Sequence, residues 1–563
     1  TVSFASPTGS SLTKRRVLSD LESIHSIFDV KYAPLQWKGE FANWNLEQAI
    51  QEAKDKVKNI PNPSLKECQV IVRDFFNSTR DYHVGVRFFS TESASLPFLV
   101  KGTQNRYFVC DVDRNLVSKS KFPFEIGDEI LTFDGRPVHE VVDELRRIEF
   151  GSNTYETDLA LAEMLLTNRH GAMGNRIPQG NVEVTGKKKG SSKTISATLT
   201  WDYVPEKIRD FAKIGAANMA FLATPMEWKT DFQTALKKSQ FFEKFMIFHQ
   251  WDRSYVGAGT EMSNHALGSR SSYLPTLGKK TWKSGSDWMF DAYIFQTMSG
   301  KNIGYIRIPH YMADVEELEE FGQIMNYFQT RTDALVIDQL NNPGGSVFYL
   351  YALASTLTDK PLYVPKHHIA LTQEEVHTAL FMLPYLEQVK NDSTARSVLG
   401  DDVGGYPVNY EFVCLMKKFC NFLIDQWNEG KLYTDPTHLF GVDQIMPHPR
   451  YKYTKPVLLL INSLNFSGGD FFPAILQDNK RATLMGTRTA GAGGYVLSTS
   501  FPNHSGIKDF VMTGSLAERI DKNPIENLGV KPDILYELAV EDLQGEYQPY
   551  ANAIVEKVES LIQ

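Results

Sequence analysis

"LINSLNFSGGDFFPAILQDNKRATLMGTRTAGAGG", residues 460–494, decides how the chain is read. An apolar run ends at Asn465-Phe466-Ser467-Gly468-Gly469. Apolar residues then recur at helical spacing through "DFFPAILQD", and "RATLMGTRT" returns to a β-like run. A buried strand, a helix and a second strand in so short a span form a βαβ unit, which implies a parallel sheet. The same order occurs upstream: "NIGYIRIP", the helical "VEELEEFGQIMNYFQ", the apolar "DALVIDQL", the turn "NNPGGS" and the helical "VFYLYALASTLTD". The fold class is therefore α/β from about residue 286 to 563. In such sheets ligands bind beyond the carboxyl ends of the strands, where both "NNPGGS" and "NFSGGD" fall.

Two roles suit Ser467. Ser467-Gly468-Gly469-Asp470 fits the S-x-x-D capping box, in which the hydroxyl closes the first helical turn. A serine at a sheet edge, followed by two glycines and a helix N-terminus rich in free N–H groups, also suits a nucleophile with its own oxyanion donor at Gly468. The segment is not G-x-S-x-G, which argues against an α/β-hydrolase elbow. In "DQLNNPGGS", 338–346, Pro343 fixes its φ and Gly344 and Gly345 tolerate positive φ. This makes a tight turn whose N–H groups can complete an oxyanion hole.

Upstream, the chain changes character twice. Residues 1–94 read mainly helical ("VLSDLESIHSIFDV", "NLEQAIQEAKDKV") and end in "STRDYHVGVRFFS". Residues 95–204 read as short strands. There "GDEILTFDGRPVHEVVDELRR" is a strand, an Asp-Gly turn and an amphipathic helix, resembling the centre of a PDZ domain, a module that takes extended peptides by strand addition. Residues 205–285 mix aromatic pieces such as "FFEKFMIFHQW" with Gly/Ser-rich ones and read as a linker or insertion.

The totals exclude other classes. The 563 residues are 42% hydrophobic and 22% charged, with a formal net charge of −8, so no basic field favours nucleic acid. No apolar run is long enough to cross a membrane, so no membrane insertion is expected. Four cysteines without C-x-x-C, and thirteen histidines without H-E-x-x-H, give no metal motif; neither a metal nor another cofactor is expected. The chain begins "TVSFASPTGSS", so a missing signal peptide says nothing about export.

Together, "DQLNNPGG", "NFSGGDFFPAILQD" and the PDZ-like stretch resemble the tail-specific, or C-terminal-processing, serine proteases. The resemblance implies a crotonase/ClpP-like catalytic core of βαβ units. In that family the serine is activated by a lysine in a "G-K-G" turn. Here the matching position is Ala492, in "GAG". The fuller match, including "VKYAPLQWK", "DYHVGVRFFSTESASLPF", "GTRTAGAGG" and "NPIENLGVKPDI", is to a secreted branch with a Ser/His/Glu triad. That resemblance implies His83 as base, Glu526 as the acid that orients it and Ser467 as nucleophile. It also implies protein or peptide substrates, a homodimer, a self-cleaving zymogen whose covering segment falls within 205–285, and export to a periplasm, the outside or a host cell. Two other readings remain at this stage: a catalytically silent peptide- or lipid-binding protein, suggested by the missing lysine, and a Ser/Lys peptidase that takes its lysine from elsewhere.

Overall fold

The computed structural model describes residues 9–207, 263–312 and 315–562. Its centre is a seven-stranded sheet in the order Lys279–Lys283, Ala292–Gln296, Asn302–Arg307, Ala334–Asp338, Val457–Ile461, Thr483–Gly486, Ile534–Leu535. The first two pairings are antiparallel and the remaining four parallel. Ala334–Asp338 and Val457–Ile461 are buried at every residue. That matches their unbroken apolar sequence, since a strand covered on both faces has no solvent side to alternate with. The crossovers are helices Val315–Arg331, Val347–Ser355 and Gly468–Asp478. Between the second and third lies a helical insertion, Gln373–Leu386, Asp392–Leu399 and Tyr410–Asn428.

The N-terminal region forms helices α1 (Gly9–Lys31), α2 (Leu35–Ala42), α3 (Leu46–Asn59) and α4 (Leu65–Ser78). Asn45 caps α3, and Ser64 with Glu67 makes a reciprocal box on α4, which fixes both starts after the turns "WN" and "IPNPS". These helices share one core with the central sheet: Phe28 and Phe76 pack against Phe510, and Phe75 packs against both of them. The strand after α4, Gly85–Phe88, pairs antiparallel with Ile507–Thr513.

The PDZ-like domain is a sheet of Phe98–Thr103, Arg106–Val112, Glu129–Phe133, Asn181–Lys187 and Thr194–Thr200, with Arg136–Pro137 hairpinned onto the third. Asp134 (φ 52°) and Gly135 (φ 73°) make the hairpin turn; two successive positive φ angles are what Asp-Gly supplies. Helices Val138–Glu149 and Tyr155–Thr167 cover the sheet. The domain's core continues into the rest of the chain through Tyr82, Leu464, Phe466, Ala490 and Ala492. Between the domains lies a cleft of about 910 Å³. It is lined by strand Phe98–Thr103, helix Tyr155–Thr167 and the sheet's carboxyl edge at Asn341, Asn462 and Thr487.

Candidate active site

The strand end at Ile461 and the turn at Asn341–Ser346 are clasped together. Phe466 N–H donates to Asn342 O at 3.1 Å, and Asn465 Nδ2 donates to Gln339 O. Pro473, inside helix Gly468–Asp478, has no N–H for the carbonyl of Gly469; Gln339 Nε2 supplies the missing donor at 3.0 Å. Between these anchors Ser467 adopts φ 57°, ψ −113°, a region costly for a residue with a Cβ, by about 1–3 kcal/mol. Only half of the expected capping box forms. Asp470 Oδ2 accepts from Ser467 N–H at 2.8 Å, while Ser467 Oγ is buried with no partner among the described residues. The serine's hydroxyl therefore makes no cap hydrogen bond to the helix.

The "GAGG" turn, where the family's lysine is absent, is held by the same aspartate. Asp470 accepts from Thr489 Oγ1 (2.5 Å), Gly491 N (2.8 Å) and Ala492 N (3.0 Å). Burial pushes its carboxyl up to about 7, against the pull of those donors. Ala492 is wholly buried. The next residue, Gly493, donates its N–H to Glu526 Oε2 at 3.0 Å, and Asn527 N–H returns to Gly491 O at 2.8 Å. One short loop thus ties the serine's turn to the glutamate's.

His83 approaches from the N-terminal region. Tyr82 and Phe466, the chain neighbours of His83 and Ser467, meet ring to ring at 5.5 Å. Tyr82 Oη also donates to Asp158 Oδ1 of the PDZ-like domain at 2.8 Å. Asp81 Oδ1 accepts the His83 N–H at 2.8 Å, and its Oδ2 accepts from Tyr32 Oη (2.9 Å) and Thr513 Oγ1 (2.8 Å). Neither ring nitrogen of His83 has a hydrogen-bond partner among the described residues. Burial lowers the imidazole from 6.5 to about 4, with Asp81 opposing and Lys38 reinforcing the shift, so the ring is neutral at pH 7.

Glu526 is entirely buried. Its Oε1 accepts from Lys38 Nζ at 2.5 Å. The same ammonium donates to Arg80 O (2.7 Å) and Asn527 Oδ1 (2.8 Å). Burial and the nearby Asp81 push the Glu526 carboxyl up to about 8, while Lys38 and the Gly493 N–H pull it down. Asn527 (φ 63°) also accepts from Trp37 Nε1 and donates to Arg80 O and Asn153 Oδ1.

The expected residues therefore gather in one place from three regions, without direct hydrogen bonds among Ser467, His83 and Glu526. None of the three lines the 910 Å³ cleft beside them. Gly344 lies against the serine: a Cβ there would sit 2.8 Å from Ser467 Cβ and 2.6 Å from Phe466 O, at φ 96°. The Gly344 N–H is already donated to Asn342 Oδ1 at 2.8 Å, whereas among the described residues the Gly345 and Gly468 N–H groups make no such bond. Sequence reasoning did not single out Lys38, Asp81, Asp470 as an acceptor hub, or Asn527. Only "IEN" beside a predicted acid hinted at the last.

Comparison with known proteins agrees with this architecture. Residues 92–208 match the PDZ domain family and residues 302–536 match peptidase family S41. A protein of Chlamydia muridarum is 38% identical, covering 98% of this chain and 93% of its own, and one of Chlamydia pneumoniae is 38% identical over 96% and 90%. The crystal structure of mature CPAF complexed with lactacystin superposes with a TM-score of 0.83 at 35% identity, covering 98% of this chain and 99% of that one. Mature CPAF alone gives the same score and identity. With a PDZ domain set on an S41 core and relatives this similar from end to end, the chain belongs to peptidase family S41, the tail-specific serine proteases, and is a serine peptidase of the CPAF type.

Proposed function

We propose that the protein is an endopeptidase working through an acyl-enzyme, with Ser467 as nucleophile, His83 as base and Glu526 as the acid that orients and charge-balances the imidazole. His83 takes the Ser467 proton as Oγ attacks a peptide carbonyl. The oxyanion is received by the Gly468 N–H and, from the opposite turn, by Gly345, since Gly344 already donates elsewhere. His83 then protonates the amine as the C–N bond breaks, and water releases the acyl group. The observation that carries this reading is the pair of unsatisfied groups: a strained serine hydroxyl and a neutral imidazole, both buried without partners among the described residues, an expensive arrangement for a merely structural site. The test is hydrolysis of casein by the purified chain beside Ser467→Ala and His83→Ala; cleavage by either variant at the wild-type rate rules the assignment out.

The same reading includes a precursor. Ser467 is 0% and His83 4% exposed, so no peptide reaches the hydroxyl in this conformation. Glu526 is engaged by Lys38 and Gly493 rather than by His83. We take self-cleavage to open the site and complete the Ser467–His83–Glu526 line, with the adjacent cleft receiving the extended substrate. The expected covering segment, 205–285, lies mostly outside the described residues. Homodimerisation and export belong to the same proposal; sedimentation of the cleaved form tests the first. A silent binding protein has no comparable observation in its favour. A Ser/Lys peptidase has one, a buried lysine near the site, but that lysine's three N–H groups all go elsewhere.

A further inference from the structure

Among the described residues Lys38 is the lysine that is completely buried. A buried ammonium is retained only where every proton finds an acceptor and an opposite charge is close. Lys38 meets both conditions with groups that frame the site: the carbonyl of Arg80, three residues before the base; Glu526 Oε1; and the side chain of Asn527. It lies 4.0 Å from Asp81 Oδ2, whose other oxygen holds the His83 N–H. One side chain on α2 thus fixes the His83 turn and the Glu526 loop relative to each other, across more than four hundred residues of sequence.

We propose that Lys38 is a positioning residue of the peptidase site, holding Glu526 and the His83 turn in register and setting the charge against which His83 accepts a proton. The proposal rests on the Ser467/His83/Glu526 reading. The groups facing His83 and Glu526 are Lys38 on α2, Tyr32 at the end of α1, Asp81 before the histidine, and the amide of Gly493. Asp81 is satisfied by neutral donors, Tyr32, Thr513 and the His83 N–H. Glu526 has Lys38 as its sole cation within ion-pair distance among the described residues. Once Glu526 is ionised, the two carboxylates exceed the single ammonium by one negative charge. The imidazolium formed as Ser467 gives up its proton cancels that excess. Without Lys38 the excess doubles. Glu526 then holds its proton to higher pH, and an imidazolium is favoured before substrate arrives, which removes the base. Lys38 consequently acts on both partners in the same direction, and its loss moves the acid limb of the rate profile upward.

The experiment measures the second-order rate of labelling by a fluorophosphonate probe from pH 5 to 10 on the full chain. The proteins compared are wild type, Lys38→Met, Glu526→Gln and the double variant. The expected result is a Lys38→Met rate about 10- to 100-fold down at pH 7, an acid limb displaced upward by about one unit or more, and a double variant within about threefold of Glu526→Gln alone. An unchanged limb, or losses that multiply in the double variant, overturns the proposal. If Lys38→Met does not fold, the double variant decides. Removing both charges together leaves Asp81 alone, and its neutral donors Tyr32, Thr513 and the His83 N–H still hold it, so the double variant must fold and label like Glu526→Gln; slower labelling or failure to fold overturns the proposal. Absence of labelling in the wild type, even after proteolytic nicking, would instead count against the triad reading itself.

Discussion

At the scale of single residues, the candidate site is built by acceptors that hold amides, while Ser467 Oγ and the His83 ring have no hydrogen-bond partner among the described residues. Asp470 makes its own half of the capping box by accepting the Ser467 N–H, and it also fixes the turn where the family's lysine is missing. Asp470→Ala leaves three backbone N–H groups and the Thr489 hydroxyl unpaired. It should cost about 3 kcal/mol or more, read as a lower denaturation midpoint, and slow probe labelling as Ser467 relaxes. Gly344→Ala places a methyl against Ser467 and Phe466 at a φ that L residues avoid; displacing the proposed nucleophile should cut labelling about 100-fold. The pH profile follows from two opposed shifts. Burial leaves His83 neutral above about 4 but keeps the Glu526 proton until about 8. The wild-type rate should therefore still climb between pH 7 and 9, where a profile set by an exposed histidine alone has levelled off. Ser467 and its glycines were legible from position and chemistry. His83 and Glu526 were legible only through family resemblance, being otherwise a histidine in a turn and a carboxylate in a loop. Lys38 was not legible at all, because nothing in "LQWKGEFA" distinguishes a buried lysine from an exposed one and its partners are remote in sequence.

At the scale of elements, the parallel strands were readable because a strand covered on both faces is apolar at every position. The Pro-Gly-Gly and Ser-Gly-Gly turns marked their carboxyl ends. Pro473 leaves the Gly469 carbonyl without its helical donor, and Gln339, at the end of the neighbouring strand, serves it instead. Gln339 also accepts from Tyr311 Oη at 2.7 Å, so Gln339→Leu should destabilise the protein by about 2–3 kcal/mol through two unpaired groups, measurable by urea titration. The pairing of Gly85–Phe88 with Ile507–Thr513 could not be read from either strand, since register between distant segments depends on packing neither contains. Val86 faces Phe510 in that ladder. Val86→Pro should cost about 3 kcal/mol or more and, by displacing the strand that follows His83, abolish peptidase activity before the protein unfolds.

At the scale of the whole molecule, three regions that read as separate blocks converge on one centre. The N-terminal helices bring Lys38 and His83, the sheet brings Ser467, and the C-terminal loop brings Glu526, while the PDZ-like domain packs its core against Tyr82 and Phe466. Such an arrangement makes the site sensitive to a change in any of the three regions, and in the proposed precursor the buried serine is the form before cleavage. The intact chain should label slowly, and limited self-cleavage should raise the rate about 10-fold or more, in step with the appearance of fragments on a gel. The most direct test of the central claim is labelling of the cleaved protein with a fluorophosphonate, followed by peptide mass mapping. The account predicts one adduct, on Ser467, lost in Ser467→Ala and strongly reduced in His83→Ala. An adduct on another residue, or undiminished labelling without His83, would contradict it.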